Sequence, residues 1–508
     1  MSRLSFCRAT RSAATALLLA APLAAQHAKP PAVPPAISAI RTADLKRDLY
    51  YLASDAMRGR EAGTLDELRA ASWEAEQARK AGLQPAGDDG TYFQWFSIKR
   101  TRLSPASTIM IGDRALVLWK DIASSSTVQA HIDAPAVFAG DGSDTTIDVR
   151  GKVAIATLVP PPPNTRQFIG VYSPEWHYAR AAIAAEGQRL AARGASAVVL
   201  VADSIGDIAF DAVTAISSRG TYDVDDPATN AAGGRYGAPE HGPPVLLVHR
   251  DMLEALRAGG QRATIHLVTE TFDYPSVNVI AKVRGTDPRL RDQYVMFSSH
   301  SDHDGVRFPM AGDSIWNGAD DNASTSVAIL AIGRAFAKEP GKRSALFIWH
   351  GAEERGLLGS RYHATHPVVP LHQIVAVLNG DLIGRNNPDT ASLLGVQPPH
   401  RNSSDLVRMA LAANAATGKF VLDSTWDRPT HPEGWYFRSD HVPYVRRGVP
   451  ALMYSTNLHA DYHTPRDEAS RIDYAKLTRM TDWMYETGWL VANAPTRPAL
   501  DPGFKLER

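Results

Sequence analysis

Residues 294–305, YVMFSSHSDHDG, run from an apolar stretch straight into a cluster of imidazole and carboxylate side chains. A short apolar run of this kind, closed by polar residues, reads as a buried strand. The same transition recurs downstream. ALFIW at 345–349 runs into His350-Gly351-Ala352-Glu353-Glu354, and IVAVL at 374–378 runs into Asn379-Gly380-Asp381. Ala451–Tyr454 reads as a further strand, with Asp461-Tyr462-His463 after it. Thr325–Ala337 reads as a helix, and Asp320-Asp321-Asn322 stands just before it. Strands alternating with helices predict an α/β fold with a mostly parallel central sheet flanked by helices. In open sheets of that class, functional groups gather beyond the carboxyl ends of the strands.

Toward the N-terminus, Val277–Val283 reads as one more strand of this domain. Residues 130–268 have a different texture. Strands are expected at Val153–Val159, Ala197–Val201 and Val245–Val248, with an Ala-rich helix over Ala179–Arg193 and Gly/Asp/Pro-rich material between them, including Gly233–Pro244. This predicts a smaller α/β insert carried on the larger domain. Earlier still, Leu45, Leu49 and Leu52 recur at helical spacing from Thr42, and a second helix runs through Leu68, Ala71 and Ala78. Strands follow around Tyr92–Lys99 and Ser107–Leu118. The larger domain is therefore expected in two parts, 41–129 and 269–508, with the insert at 130–268. Residues 26–40 are rich in Pro and Ala and read as a linker.

The first 25 residues follow a separate logic. Arg3, Arg8 and Arg11 precede an apolar stretch, Ala13–Ala25, that is too short to span a bilayer. Small residues at Ala24 and Ala25 offer a cleavage point, so 1–25 reads as a secretory signal peptide. The single cysteine, Cys7, lies inside it. The exported chain is then expected to have no disulfide, no thiolate ligand and no cysteine nucleophile. Lys plus Arg and Asp plus Glu balance at 54 each, with 44% hydrophobic and 21% charged residues over 508 positions. That is the composition of a soluble globular protein. Without a basic stripe or polybasic cluster, it gives no support to nucleic-acid binding or to a membrane surface after leader cleavage. A periplasmic or secreted location follows from the leader; oligomeric state does not follow from any of this.

Three carboxylates and two imidazoles at strand ends, His300, Asp321, Glu354, Asp381 and His463, suit a pair of zinc-like ions. Such ions accept both N and O ligands. A bridging carboxylate lets two ions sit roughly 3.5–4 Å apart. Asp302, two residues beyond His300, is expected to accept the other imidazole N–H and so fix its tautomer. Glu353 and Glu354 are adjacent and point apart, so one can bind metal while the other faces an activated water and acts as a base.

Six stretches then stand in order: HSDHDG at His300, NGADDNAS at Asn317, GAEERGLLGS at Gly351, LNGDLIG at Leu378, SDHVPY at Ser439 and DYHTPRDE at Asp461. In this order and spacing, over about 275–490, the chain resembles the M28 family of zinc aminopeptidases, the bacterial leucine-aminopeptidase type. The opening YLASDAMRGREAGT at Tyr51 resembles that family's first helix and loop. DVRGKVAIA at Asp148 and GASAVVLV at Gly194 resemble a protease-associated (PA) domain, which exported members often carry as an insert. Ser324-Thr325 stands where the family usually has Ser-Gly, a departure that removes no ligand.

The resemblance implies that His300 and Asp381 hold one zinc, Glu354 and His463 the other, and that Asp321 bridges them through a residue whose bond to Asn322 is commonly cis. It implies Glu353 as general base and Tyr462 near the tetrahedral oxyanion. Peptides with a free α-amine would be the substrates. Cobalt and manganese also suit such a site. A single-zinc glutaminyl cyclase, a carboxypeptidase and a receptor-like binding protein remain open on the same scaffold. Asp320, His303, His441 and His350 have either a pocket or a packing role. Trp426, Trp435, Tyr436 and Phe437 form either a substrate wall or an ordinary apolar cluster.

Overall fold

The computed structural model describes residues 33–162, 173–232, 242–258 and 260–506. The expected leader at 1–25 lies outside them, as does most of Gly233–Pro244. The elements that position the site are, in chain order, helices α1 (Thr42–Leu52) and α2 (Leu65–Lys80), strands β1 (Phe93–Leu103), β2 (Thr269–Val283) and β3 (Tyr294–His300), helix α3 (Thr325–Lys338), strands β4 (Ser344–His350), β5 (Ile374–Gly380), β6 (Thr390–Leu394) and β7 (Ala451–Ser455), and helix α4 (Tyr474–Asn493). Helix starts carry the expected chemistry. The Thr64 hydroxyl accepts the Asp66 N–H at 3.2 Å, and Asp473 accepts those of Ala475 and Lys476 at 3.0 Å each.

The larger sheet runs β6-β7-β5-β3-β4-β2-β1, with Val421–Leu422 on the outer side of β6 and Thr221–Val224 on the outer side of β1. Its centre is parallel: β3 pairs in parallel with both β4 and β5, and β5 with β7. Its flanks are antiparallel, at β2 with β4, β1 with β2 and β6 with β7. The parallel character expected for the whole sheet thus belongs to its middle. Every residue of β4 and β5 is buried, as a strand covered on both faces requires. Helices α1, α3 and α4 cover one face through Leu45, Leu49, Ile329, Phe336 and Trp483. Ile280, Met296, Leu346 and Ile348 pack on the other face with Ala364 and Tyr444. Because β3 has β4 on one side and β5 on the other, the chain reverses its direction of winding there, which opens a crevice at the carboxyl ends of these strands.

A second, eight-stranded sheet lies between β1 and β2 in sequence. Its middle strands, Val153–Thr157, Ala197–Val201 and Val245–Val248, are parallel neighbours covered by the helix Pro174–Ala192. The expected boundary at 130 moves. Thr108–Ile111, Arg114–Leu116 and Ile122–Ser124 all belong to this second sheet. The physical reason is the pairing of β1 with β2: Leu103 lies opposite Thr269, so the chain leaves and re-enters the larger sheet at one point. The linker expectation is also corrected at its end, because Pro35–Ala39 forms a 3₁₀ turn with Ala36 buried in the core. Among the described residues no helix is long and apolar enough to cross a membrane.

Helix α4 reaches the sheet closely only because residue 488 is glycine. A Cβ there would stand 2.1 Å from Cζ of Phe297, and that ring is stacked on Phe347 at 5.4 Å. Gly488→Ala gains about 1 kcal/mol of helix propensity but overpacks a filled core, which costs about 1–3 kcal/mol. The expected outcome is a lower urea midpoint at unchanged m-value; an unchanged or raised midpoint would show that the ring yields freely.

Candidate metal centre

The crevice at β3 collects the expected ligands. His300 ends β3 and is buried; its Nδ1 lies 3.1 Å from the main-chain oxygen of Asp302. A carbonyl only accepts, so Nδ1 carries a proton and Nε2 faces the crevice. Nε2 lies 3.2 Å from Asp321 Oδ1, 3.6 Å from Asp381 Oδ1 and 3.9 Å from Glu353 Oε2. The other oxygen of Asp321 lies 2.9 Å from Nε2 of His463, which is also 3.1 Å from Glu354 Oε1. All five expected ligands therefore converge, with Asp321 between the two imidazoles. Glu353 and Tyr462 stand beside them.

Asp302 has a different task from the one expected. The partner of His300 is its carbonyl, while its buried carboxylate accepts the main-chain N–H groups of Glu353 at 2.8 Å and Glu354 at 3.2 Å. The turn after β4 passes through a left-handed Ala352, which leaves those two amides pointing inward, and a carboxylate beneath them satisfies both. Asp467 plays the same part for the other loop, accepting the N–H groups of Asp320 and Asp321 at 3.0 Å. The Asp321–Asn322 peptide bond is cis. Arg60, fully buried, ties the loop after β3 to the loop before α3 and to the end of α1 by donating to the carbonyls of Ser301, Asn317, Gly318 and Leu52 at 2.7–2.9 Å.

His303 is brought into the site, with Nδ1 2.8 Å from Glu354 Oε1 and 3.8 Å from Asp321 Oδ2. A Cβ on Gly318 would meet its ring at 2.4 Å, and Gly318 has φ +58°, so glycine is required there on both counts. Asp320 turns away and accepts the Gly384 N–H at 2.6 Å. His350 packs beneath the site with Tyr444, 3.4 Å from its hydroxyl. His441 is buried against Tyr436, edge to face at 4.9 Å. Trp435 and Tyr436, with Trp426 and Phe437 at their margin, form one apolar cluster with Leu382 and Tyr462, the neighbours in sequence of Asp381 and His463. The Tyr462 hydroxyl accepts from Arg438 Nη2 at 3.0 Å.

Charge is distributed unevenly. Burial pushes the Glu353 carboxyl well above the usual carboxylate range; His300 opposes this, and Glu354, Asp440 and Asp381 add to it. Burial also pushes Glu354 up, but His463 and His303 outweigh it and hold that carboxylate well below the usual range. Burial would discharge His300 and His463; facing carboxylates, Glu353 for the first and Glu354 for the second, hold both imidazoles well above their ordinary value. Adjacent glutamates thus differ in their hold on a proton, because their neighbours differ.

The donor set fits zinc. His300 with Asp321 and Asp381 forms one cluster of possible ligand atoms, and His303, Asp321, Glu354 and His463 form another. Asp381 Oδ1 and His463 Nε2 are buried without an aligned hydrogen bond, which leaves both open to a cation. Mixed imidazole and carboxylate donors without thiolate suit a borderline divalent ion.

An α/β scaffold with a buried His/carboxylate centre at the switch point of its sheet has the donor set of a metal-dependent enzyme. More particularly, residues 278–488 match peptidase family M28, and the chain carries an M28 peptidase domain. Aminopeptidase YwaD of Bacillus subtilis is 25% identical over 470 residues, covering 89% of this chain and 87% of that protein. Leucine aminopeptidase 2 of Arthroderma otae is 26% identical over 206 residues, 40% of this chain; the chain spans 38% of that relative's length. The fold is that of solved structures including the aminopeptidase from Aneurinibacillus sp. strain AM-1 and BSAP, a zinc aminopeptidase from Bacillus subtilis. Each has a TM-score of 0.55 at 19% identity over 92% of this chain, covering 97% and 99% of the respective relatives.

Asp302→Asn sets an NH₂ donor against one of two inward-facing amides. One buried donor then goes unpaired, at about 1–3 kcal/mol, and the Glu353–Glu354 turn loosens. A fall in thermal midpoint together with weakened zinc retention during dialysis is expected; a variant with wild-type midpoint and metal content would remove Asp302 from this role.

Proposed function

We propose that the protein is an exported aminopeptidase that holds two zinc ions and hydrolyses the first peptide bond of peptides with a free α-amine. The observation that carries this reading is Asp321, whose two oxygens face His300 at 3.2 Å and His463 at 2.9 Å. A carboxylate shared between two imidazole groups is what a pair of metals requires. His300 and Asp381 would hold one ion, Glu354 and His463 the other, with Asp321 common to both. Relatives described as aminopeptidases, one of them as a zinc aminopeptidase, support the same reading. So does the leader-like segment 1–25 for export, and the smaller sheet for an inserted PA-like unit.

When bound, zinc supplies the Lewis acidity that makes water nucleophilic near neutral pH. The remaining work falls to side chains. Glu353, raised in pKa and free of metal in this scheme, takes the proton from the attacking water and returns it to the leaving amine. Tyr462 accepts from Arg438, so its own O–H is available to the carbonyl oxygen as charge develops there. The Trp435–Tyr436 cluster beside it presents an apolar wall to the first side chain of the substrate.

Incubation with unblocked peptides should release single amino acids from the N-terminus, and N-acetylated versions should survive. Chelation should abolish release and zinc restore it. Glu353→Gln should keep its metal while turnover falls by at least about 10²-fold. Cleavage of blocked peptides at the same rate, or full turnover by Glu353→Gln, would sink the assignment.

A further inference from the structure

Asp304 is a buried carboxylate for which the chemistry above has no use. Its Oδ2 lies 3.1 Å from Nδ1 of His463, the ring nitrogen opposite the one facing Asp321 and Glu354. The contact is an ion-pair approach, since no donor is aligned on that oxygen. Arg307 pairs with the other oxygen, and Arg355 Nη1 stands 3.6 Å from it.

Part of what holds Asp304 in place comes from the second unit. The guanidinium of Arg219 reaches the main-chain oxygens of Asp304 and Val306 at 3.4 Å and pairs with Glu61 at 3.2 Å. Glu61 also pairs with Arg355 at 3.4 Å, and Arg355 lies over the ring of Tyr222 at 5.3 Å. Tyr222 belongs to Thr221–Val224, the edge strand that the second unit lends to the larger sheet beside β1. The hairpin that follows Asp304, Gly305–Met310 with Asp313–Trp316, is anchored by Phe308 against the core of that same unit.

We propose that Asp304 is a positioning residue for His463, and that the second unit, through Arg219, is part of the support of the metal centre rather than a detachable cover. A carboxylate facing Nδ1 keeps the proton on that nitrogen. The Nε2 lone pair is then left for a metal, and its basicity rises. Neither Asp304 nor Arg219 reaches the reacting atoms. The inference rests on the two-zinc reading above.

The test is zinc stoichiometry and affinity, measured on the full chain by competition with a chromogenic chelator, with circular dichroism and thermal midpoint recorded alongside. The unsubstituted protein should bind two zinc ions. Asp304→Ala should weaken one of them by about 10–100-fold and leave the other unchanged. Arg219→Ala should weaken the same ion by a smaller factor, and Arg219→Lys, which keeps the charge, by less again. The double variant should bind no worse than Asp304→Ala, because residues acting along one line are not additive. A folded Asp304→Ala with two zinc ions at full affinity would overturn the inference. Should that variant not fold, Asp304→Asn, equal in size, is judged by the same criterion. Absence of zinc from the unsubstituted protein would instead overturn the two-zinc reading, and this inference with it.

Discussion

Asp321, Asp381, Glu353 and Glu354 meet in one buried crevice, with the imidazoles of His300, His303 and His463 against them. Carboxylates taken out of water cost several kcal/mol each unless positive charge and hydrogen bonds replace the solvent. Asp302 nearby is satisfied by two main-chain amides, and one oxygen of Asp304 pairs with Arg307 and Arg355. The other four face imidazoles instead, and bound cations would add the remaining balancing charge. The remaining architecture serves to hold like charges together against their repulsion.

That holding is done mostly by backbone. His300, the Glu353–Glu354 turn and Asp381 follow three adjacent parallel strands, so the sheet fixes their spacing. Buried polar groups then lock the loops. Arg60 ties Ser301 to Asn317 and Gly318 through their carbonyls and anchors them to that of Leu52 at the end of α1. From α2, Glu74 accepts from Ser301 at 2.8 Å and Glu67 from Ser276 at 2.7 Å, and burial pushes both carboxyls up to about 8. Near neutral pH these two act as largely neutral hydrogen-bonding struts, adding no further negative charge to the crevice.

The second unit is woven into this arrangement. Its strand Thr221–Val224 completes the larger sheet, and Arg361 on the helix Leu358–Thr365 pairs with its Asp223 at 3.1 Å. A unit joined through a shared strand and partly buried ion pairs transmits position. An arm tethered only by a linker would be free to swing, and would not.

The gathering of His300, Asp321, Glu353, Glu354, Asp381 and His463 at one end of the sheet was legible because each stands near a strand end or a helix start, and such positions are readable from residue types alone. Three things were not legible. The partner of His300 is the Asp302 carbonyl, since which oxygen faces a ring depends on the turn. The second unit begins after Leu103, at a point marked by no change in composition and set only by the pairing of β1 with β2. His303 and Asp304 could be quoted within HSDHDG, but nothing in that string says which element comes to lie against them. The order of strands and motifs by itself determined the fold class and the donor types, because periodicity and side-chain chemistry are local properties. Tertiary structure alone decided which donors share a space and what supports them. Those contacts join Arg219 to Asp304 and Asp304 to His463 across long stretches of chain, and only folding makes such residues neighbours.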